Sequence, residues 1–335
     1  MRSPAGPVLS ARDRLIDAIL EVSVVGSFSK IGPAGRRPTA RWKVPPSAGG
    51  RTVVITGATS GLGLAAATEL SRLGAHVCLV GRDRKRTDDA KAQVESAGGT
   101  GVTTELADFT DLDAVLALAD RLRDRLERID VLVHNAGALH RTFHLSPQGT
   151  EATVSLHLLA PYVLTERLLP LLGASAPSRV ITMTSGGMYS QRFALERLVM
   201  SENDYDGATA YARAKRAQVV LTHEWQRRYG PLDVDFHVVH PGWADTPGLA
   251  SGLPAFARVA HPLLRSAPDG ADTLVWLAGS NDRSPGGGHL WLDRRPRREY
   301  YVPWTWVAPS RRVREGVALW DWCHERVPSP RSPTT

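Results

Sequence analysis

Tyr211 and Lys215 stand four residues apart in Tyr-Ala-Arg-Ala-Lys, a spacing that puts both side chains on one face of a helix. A free phenol titrates near about 10, too high to exchange protons at neutral pH unaided, and an ammonium beside it favours its ionised form. The pair therefore predicts a proton-transfer group with a cationic helper. Such pairs also occur on solvated helices, so the reading depends on what else the chain carries. About 150 residues upstream lies a glycine-rich turn, Thr56-Gly-Ala-Thr-Ser-Gly-Leu-Gly63.

Gly57, Gly61 and Gly63, with Ser60 and Leu62 among them, fall between an apolar strand and an apolar-periodic helix. Lacking a Cβ, glycines there let the backbone turn sharply and approach a pyrophosphate held at the helix N-terminus. The end of the second strand then decides which nicotinamide cofactor fits, because an acid there bonds the adenosine ribose and repels a 2′-phosphate. Here that position is Gly81, followed by Arg82, whose guanidinium can meet a phosphate with two parallel hydrogen bonds. The expectation is NADP(H) in preference to NAD(H), with Ser60, Arg84 and Lys85 as further partners. Asp83 reads as the cap of the next helix.

The elements that must hold these residues alternate between short β-branched runs and longer helical stretches. Strands are expected at Thr52–Thr56, His76–Val80, Val102–Leu106, Asp130–Val133, Arg179–Thr184, Val234–Val239 and Gly288–Leu292. Helices are expected over Leu62–Leu73, Arg84–Ala97, Leu112–Leu126, Glu151–Leu172 and the segment bearing Tyr211. This is an α/β pattern, a Rossmann-type doubly wound parallel sheet of about seven strands in a single domain. The domain spans 51–293, preceded by an arm at 1–50 and followed by an extension at 294–335 in which Arg311–Arg326 forms a last helix. Gly186–Gly207 and Trp243–Ser266 break the rhythm after strand ends, where such sheets bind ligands, and are assigned to the substrate cleft and its lid. Their Met188, Tyr189, Phe193, Trp243, Leu249, Leu253, Phe256 and Leu263 predict a hydrophobic small-molecule substrate.

With 335 residues, 42% of them hydrophobic, the chain can bury one large core. Its two cysteines, Cys78 and Cys323, cannot build a disulfide framework, which fits a reducing, cytoplasmic setting. The net charge of +7 is concentrated at the ends, with about +6 in residues 1–51, about +5 in 294–335 and about −4 between. The middle is thus not basic, and no nucleic-acid partner is expected. Charges interrupt the N-terminal apolar segment, which excludes a spanning helix and fits a signal peptide poorly. Leu15, Ile16, Ile19, Leu20 and Val24 recur at helical spacing, predicting an amphipathic helix that docks on the domain or lies on a lipid surface. No His-Glu-x-x-His or comparable spacing occurs, so no metal is expected.

From Arg51 to Leu292 the residues resemble the short-chain dehydrogenase/reductase superfamily. Thr56-Gly-x-x-x-Gly-x-Gly63, Asp108, His134-Asn135-Ala136-Gly137, Ser185, Tyr211-x-x-x-Lys215 and Pro241-Gly242-x-x-x-Thr246 follow the family order. Ser185-Gly-Gly-Met188 and His240-Pro-Gly-Trp-Ala-Asp-Thr-Pro-Gly248 resemble the branch called dehydrogenase/reductase member twelve and its bacterial relatives. The resemblance implies hydride transfer between a nicotinamide and a carbonyl or alcohol carbon. Tyr211 would give or take the proton. Lys215 would lower the phenol's pKa and bond the nicotinamide ribose, and Ser185, rather than the neighbouring Thr184, would orient the substrate oxygen. Asp108 would lie near the adenine, Asn135, Ala136 and Gly137 along the cofactor, and Pro241, Gly242 and Thr246 at the carboxamide. His157 departs from the pattern, standing where many members carry a relay asparagine. Family members form homo-oligomers through long helices, which the arm and extension could block or extend. The rival reading is an NADP(H)-binding sensor or scaffold with little turnover, its arm touching a membrane or a partner.

Overall fold

The computed structural model describes residues 10–40, 42, 47–280 and 286–327. The parts of the expected arm and extension at 1–9, 41, 43–46 and 328–335 lie outside the described residues. Strands β1 (Thr52–Thr56), β2 (His76–Gly81), β3 (Val102–Leu106), β4 (Val131–His134), β5 (Ser178–Met183), β6 (Val234–Val239), β7 (His289–Leu292) and β8 (Arg295–Pro296) form one sheet, in the order β3-β2-β1-β4-β5-β6-β7-β8. All pairings are parallel except the last, β7 with β8. The eighth strand is the two-residue return that the sequence did not disclose. Runs such as Thr-Val-Val-Ile-Thr are apolar on both faces because both faces are covered.

Helices α1 (Ala11–Val22), α2 (Val24–Phe28) and α3 (Ile31–Ala40) make up the arm. Around the sheet follow α4 (Gly61–Arg72), α5 (Arg84–Ser96), α6 (Leu112–Arg125), α7 (Ala152–Val154), α8 (Ala160–Ala174), α9 (Gly207–Tyr229), α10 (Pro247–Gly252), α11 (Pro254–Ala260), α12 (Ala267–Gly279) and α13 (Pro309–His324). Helices α4, α5 and α12 share one core with Val53, Ile55 and Val133. Helices α6, α8, α9 and α13 share the other with Val54, Leu132 and Val180, the alternation expected of successive strand residues. The helix expected over Glu151–Leu172 is interrupted by a π-turn at Ser155–Leu159, and the lid expected to be irregular contains α10 and α11.

The arm docks, but by its acidic side. Leu15 and Ile19 of α1 are each 62% exposed, whereas Asp17 and Glu21 turn inward. Arg36, wholly buried, meets Asp17 at 2.7 Å, Glu21 at 3.4 Å and Asp293 at 2.5 Å. Asp293 is shared with buried Arg265 at 2.6 Å, and Asp17 with Arg295 and Arg297 at 2.7 and 2.9 Å. These cations hold the carboxyls of Asp17 and Asp293 below the usual range in spite of burial, so both stay ionised where the arm docks. Removing one member strands buried charge. Arg36→Ala is expected to cost about 3–5 kcal/mol in urea unfolding, against less than about 1 kcal/mol for Arg37→Ala, whose pair with Asp269 is exposed.

At the other end, α13 lies across α8 and α9 with Leu319 and Cys323 buried. Its Trp320 ring packs edge-on against Tyr162 at 5.9 Å, and the Arg228 guanidinium lies 3.8 Å above it.

Candidate active site

The glycine turn follows β1 because its backbone takes a course that a Cβ would obstruct. Gly57 has φ 64°, and a Cβ there would lie 2.7 Å from Ala136 Cα; on Gly63 it would lie 2.4 Å from the Gly57 carbonyl. The turn is pinned to the end of β4, where Asn135 Nδ2 donates to the carbonyls of Thr56 and Gly57, both at 3.0 Å. The Thr56 hydroxyl donates to Val133 O and accepts from the N–H groups of Asn135 and Ala136. Ser60 begins α4 without using its hydroxyl as a cap.

A cavity of 470 Å³ opens above the strand ends. The turn, Arg82, Asp108 and Asn135–Gly137 line it, together with Ser185, Tyr211 and Lys215 and with Pro241, Gly242 and Thr246. Every predicted site residue except Gly63, which supports the turn from within, lines this space. At Gly81 a Cβ would lie 2.1 Å from the Thr87 hydroxyl, so no acid fits there. Asp83 caps α5 by accepting from Arg86 N–H at 2.8 Å. Arg86, one helical turn beyond Arg82, faces the cavity, whereas Arg84 and Lys85 do not, and Lys85 pairs outward with Asp89.

Ser185 and Tyr211 both face this cavity, and the serine hydroxyl favours the ionised form of the phenol. Thr184 is committed elsewhere, its hydroxyl donating to Lys215 O at 3.0 Å, which leaves Ser185 to the cavity. Lys215 Nζ donates to Met183 O at 2.8 Å and lies 5.5 Å from the Tyr211 ring centre. Burial dominates the electrostatics of the pair. It pushes the Tyr211 phenol above its ordinary value, only partly offset by Ser185, and pulls Lys215 down to about 7. The expected lowering of the phenol is therefore absent in this cleft, because the ammonium sits beside the ring, held by a carbonyl.

The π-turn brings His157 under the same pair. Its carbonyl, freed from helical bonding, accepts from Gln218 Nε2 at 2.8 Å, and its Nε2–H donates to Ala138 O at 2.8 Å. Nδ1 is left without a partner among the described residues, and the ring meets Tyr211 edge-on at 5.2 Å. Burial and the nearby Lys215 charge keep the imidazole neutral.

Of the apolar residues assigned to the cleft, Trp243, Leu249, Leu253 and Phe256 line it, joined by Leu139 and Leu156. Met188, Tyr189 and Phe193 turn into the core instead, and Leu263 does not line the cavity. No pattern along the chain pointed to Phe28 of the arm, which packs on His240 at 4.4 Å and accepts from Trp243 N–H at 2.7 Å through its carbonyl. The arm thereby backs the Pro241-Gly242-Trp243 corner. Among the described residues no helix is long and apolar enough to cross a membrane, and no three His, Cys, Asp or Glu side chains gather as metal ligands.

Residues 51–253 match the family profile described as short chain dehydrogenase. Human dehydrogenase/reductase SDR family member 12 is 34% identical over 249 residues, covering 74% of this chain and 78% of that protein. Mouse retinol dehydrogenase 14 is 37% identical over 262 residues, 73% of this chain and 78% of its own. A solved structure from Beutenbergia cavernae, described as an NAD(P)-dependent gluconate 5-dehydrogenase with NADP at low occupancy, matches with TM-score 0.62 and 26% identity, over 74% of this chain and 96% of that one. With the profile spanning more than half of the sequence and a 34% identical relative matched along most of its length, the chain belongs to the short-chain dehydrogenase/reductase family of oxidoreductases.

Proposed function

We propose that the protein is an NADP(H)-dependent reductase of apolar carbonyl compounds, working through Tyr211, Ser185 and Lys215. The observation that carries this reading is the convergence of those three side chains on one cavity that the glycine turn, Arg82 and Arg86 also line. The residues fit a dinucleotide: Gly57, Ser60, Gly61 and Leu62 of the turn line the cavity, the Ser60 hydroxyl is unused by its helix, and no carboxylate pairs with Arg82 among the described residues. Gly57, Ser60, Gly61, Leu62 and Gly63 would form the phosphate cradle, with Asp108 and Asn135–Gly137 along one edge and Pro241, Gly242 and Thr246 at the nicotinamide end. Bound there, the nicotinamide supplies or accepts the hydride.

The chain's own part is to handle the proton and the developing charge. The Ser185 hydroxyl orients the substrate oxygen and donates to it as negative charge builds. Tyr211, its phenol kept protonated at neutral pH by burial, donates its proton to that oxygen, which favours reduction over oxidation. Lys215, when charged, stabilises the phenolate left behind. Leu139, Leu156, Leu249, Leu253 and Phe256 exclude water and favour an apolar substrate. The relative named for retinol supports an apolar substrate of that kind.

Titrating the protein with NADPH and NADH, followed by nicotinamide fluorescence, tests the cofactor. NADPH is expected to bind at least about tenfold tighter, and Arg82→Ala with Arg86→Ala to erase the preference. Equal affinities before and after that change would remove the assignment. A screen of long-chain and cyclic aldehydes and ketones then defines the substrate; tight NADPH binding with no turnover would favour the sensor reading, which the departure at His157 motivates.

The outward apolar edge of α1, with Leu15 and Ile19 in water, supports a cytoplasmic protein resting on a membrane surface, and loss of vesicle binding on removing residues 1–40 tests it. The position of α13 over α8 and α9 supports a protomer whose extension replaces a partner at that face.

A further inference from the structure

The segment leaving Ser185 serves two cavities. Gly186 and Gly187 line the catalytic cleft, while Ser190 to Leu198 close a second cavity of 370 Å³ against Trp304 and the start of α13. The two cavities share no lining residue. Arg192, Arg197, Arg213 and Arg311 line the second one, and Glu196 is its only acidic wall residue. Arg311 is held by Glu315 at 2.7 Å, and Arg213 donates to the Arg197 carbonyl at 2.8 Å. The guanidiniums of Arg192 and Arg197 have no carboxylate or hydrogen-bond acceptor among the described residues.

Elsewhere this chain neutralises its gathered arginines, as Arg36, Arg265 and Arg297 show with Asp17, Glu21 and Asp293. Here like charges converge with one acid among them, an arrangement that repels itself until an anion enters. Trp304, 70% exposed, adds a flat apolar wall beside the cations. Guanidinium forks match the paired oxygens of phosphate and carboxylate. We propose that this cavity is a binding site for a small anionic molecule bearing phosphate or carboxylate groups, separate from the catalytic cleft. Such a ligand bridges Arg192 and Arg197 on the segment after Ser185 to Arg213, two residues past Tyr211, and to Arg311 on α13. Its binding fixes the segment that begins at the catalytic serine.

Calorimetric titration of the full chain with inorganic pyrophosphate and with citrate tests the site without requiring turnover. Both probes are run on the unaltered protein, on Arg192→Ala/Arg197→Ala, and on Arg82→Ala/Arg86→Ala, which removes cations from the dinucleotide end instead. The expected result is at least a tenfold loss of affinity in the first variant and retention in the second, with the tighter of the two probes showing whether the natural ligand carries phosphate or carboxylate. Loss in the second variant with retention in the first would assign the anion to the glycine turn and overturn the proposal. Equal affinity in all three proteins would overturn it too. The altered arginines at 192 and 197 are exposed, so the fold is expected to survive, as a circular dichroism melt would confirm.

Discussion

Tyr211→Phe is expected to lower kcat for carbonyl reduction by roughly a thousandfold, the usual scale for losing a positioned general acid, while NADPH affinity stays within about threefold. The substitution removes one oxygen from a ring that is otherwise held by packing, including the edge contact with His157. Within the described residues the phenol's interaction that is lost is the one with Ser185 that favours its ionised form. A variant keeping more than about a tenth of the original kcat would show that the proton comes from elsewhere, with water and His157 next in line. The pH profile gives a second readout. The phenol, raised by burial, stays protonated through neutrality, whereas Lys215 with its pKa near 7 loses charge there. Reduction, followed as kcat/KM, is therefore expected to fall above about pH 7 as the ammonium that stabilises the nascent phenolate disappears.

Acid is expected to unfold the protein at a pH where most proteins remain intact. His134, His237 and His240 are wholly buried, and burial pulls each down to about 3. Arg179 and His289 face His237 and reinforce the effect; Arg265 does so at His240, where Asp293 opposes it. Below about pH 6.5 the unfolded chain binds three protons that the folded one refuses, so stability falls as pH falls. The loss is about 1.4 kcal/mol per histidine per pH unit, or about 4 kcal/mol per unit for the three. Against a total of about 5–15 kcal/mol, half-unfolding is expected between roughly pH 3 and 5.3. Urea midpoints at pH 7, 6 and 5 measure it, and a midpoint unchanged from pH 7 to 5 would contradict the burial argument. His134→Asn, which removes one titrating ring beside Thr165, should flatten the slope by about a third.

Seven strands, the glycine turn and the Tyr211–Lys215 pair were legible because each is a local pattern, a β-branched run, glycines at a strand end, a pair at helical spacing, whereas Ser185 rested on the family resemblance. Arg86 was legible in principle, since helical periodicity places it on the side of Arg82, yet its neighbours Arg84 and Lys85 looked equivalent in sequence. What stayed hidden depends on contacts between distant residues. Met188, Tyr189 and Phe193 have the composition of a pocket; only the packing of Phe28 and Tyr301 with the first two, and the burial of Phe193 in the core of α6, α8, α9 and α13, show that they face inward. The apolar residues of α1 likewise pointed to a buried face, whereas the ionic partners of Asp17 and Glu21, more than 200 residues away, turn that face outward. The π-turn has no sequence period of its own, so the placement of His157 under the catalytic pair could not be foreseen.

The arm's ionic knot also sets an order of events during synthesis. Asp17 and Glu21 are made long before their partners: 280 positions separate Asp17 from Arg297, and Asp293 and Arg265 also follow late. At about 5–20 residues per second, a ribosome needs roughly 15–55 s to travel that distance. For that interval Asp17 and Glu21 lack Arg295 and Arg297, and Arg36 lacks Asp293, although Trp243 and Arg265 reach Phe28 and Ser27 before it ends. A chain released before residue 293 therefore seats Phe28 but lacks the arm's ionic partners at 293, 295 and 297, so residues 10–40 act as a seal that closes fully only once those residues are made.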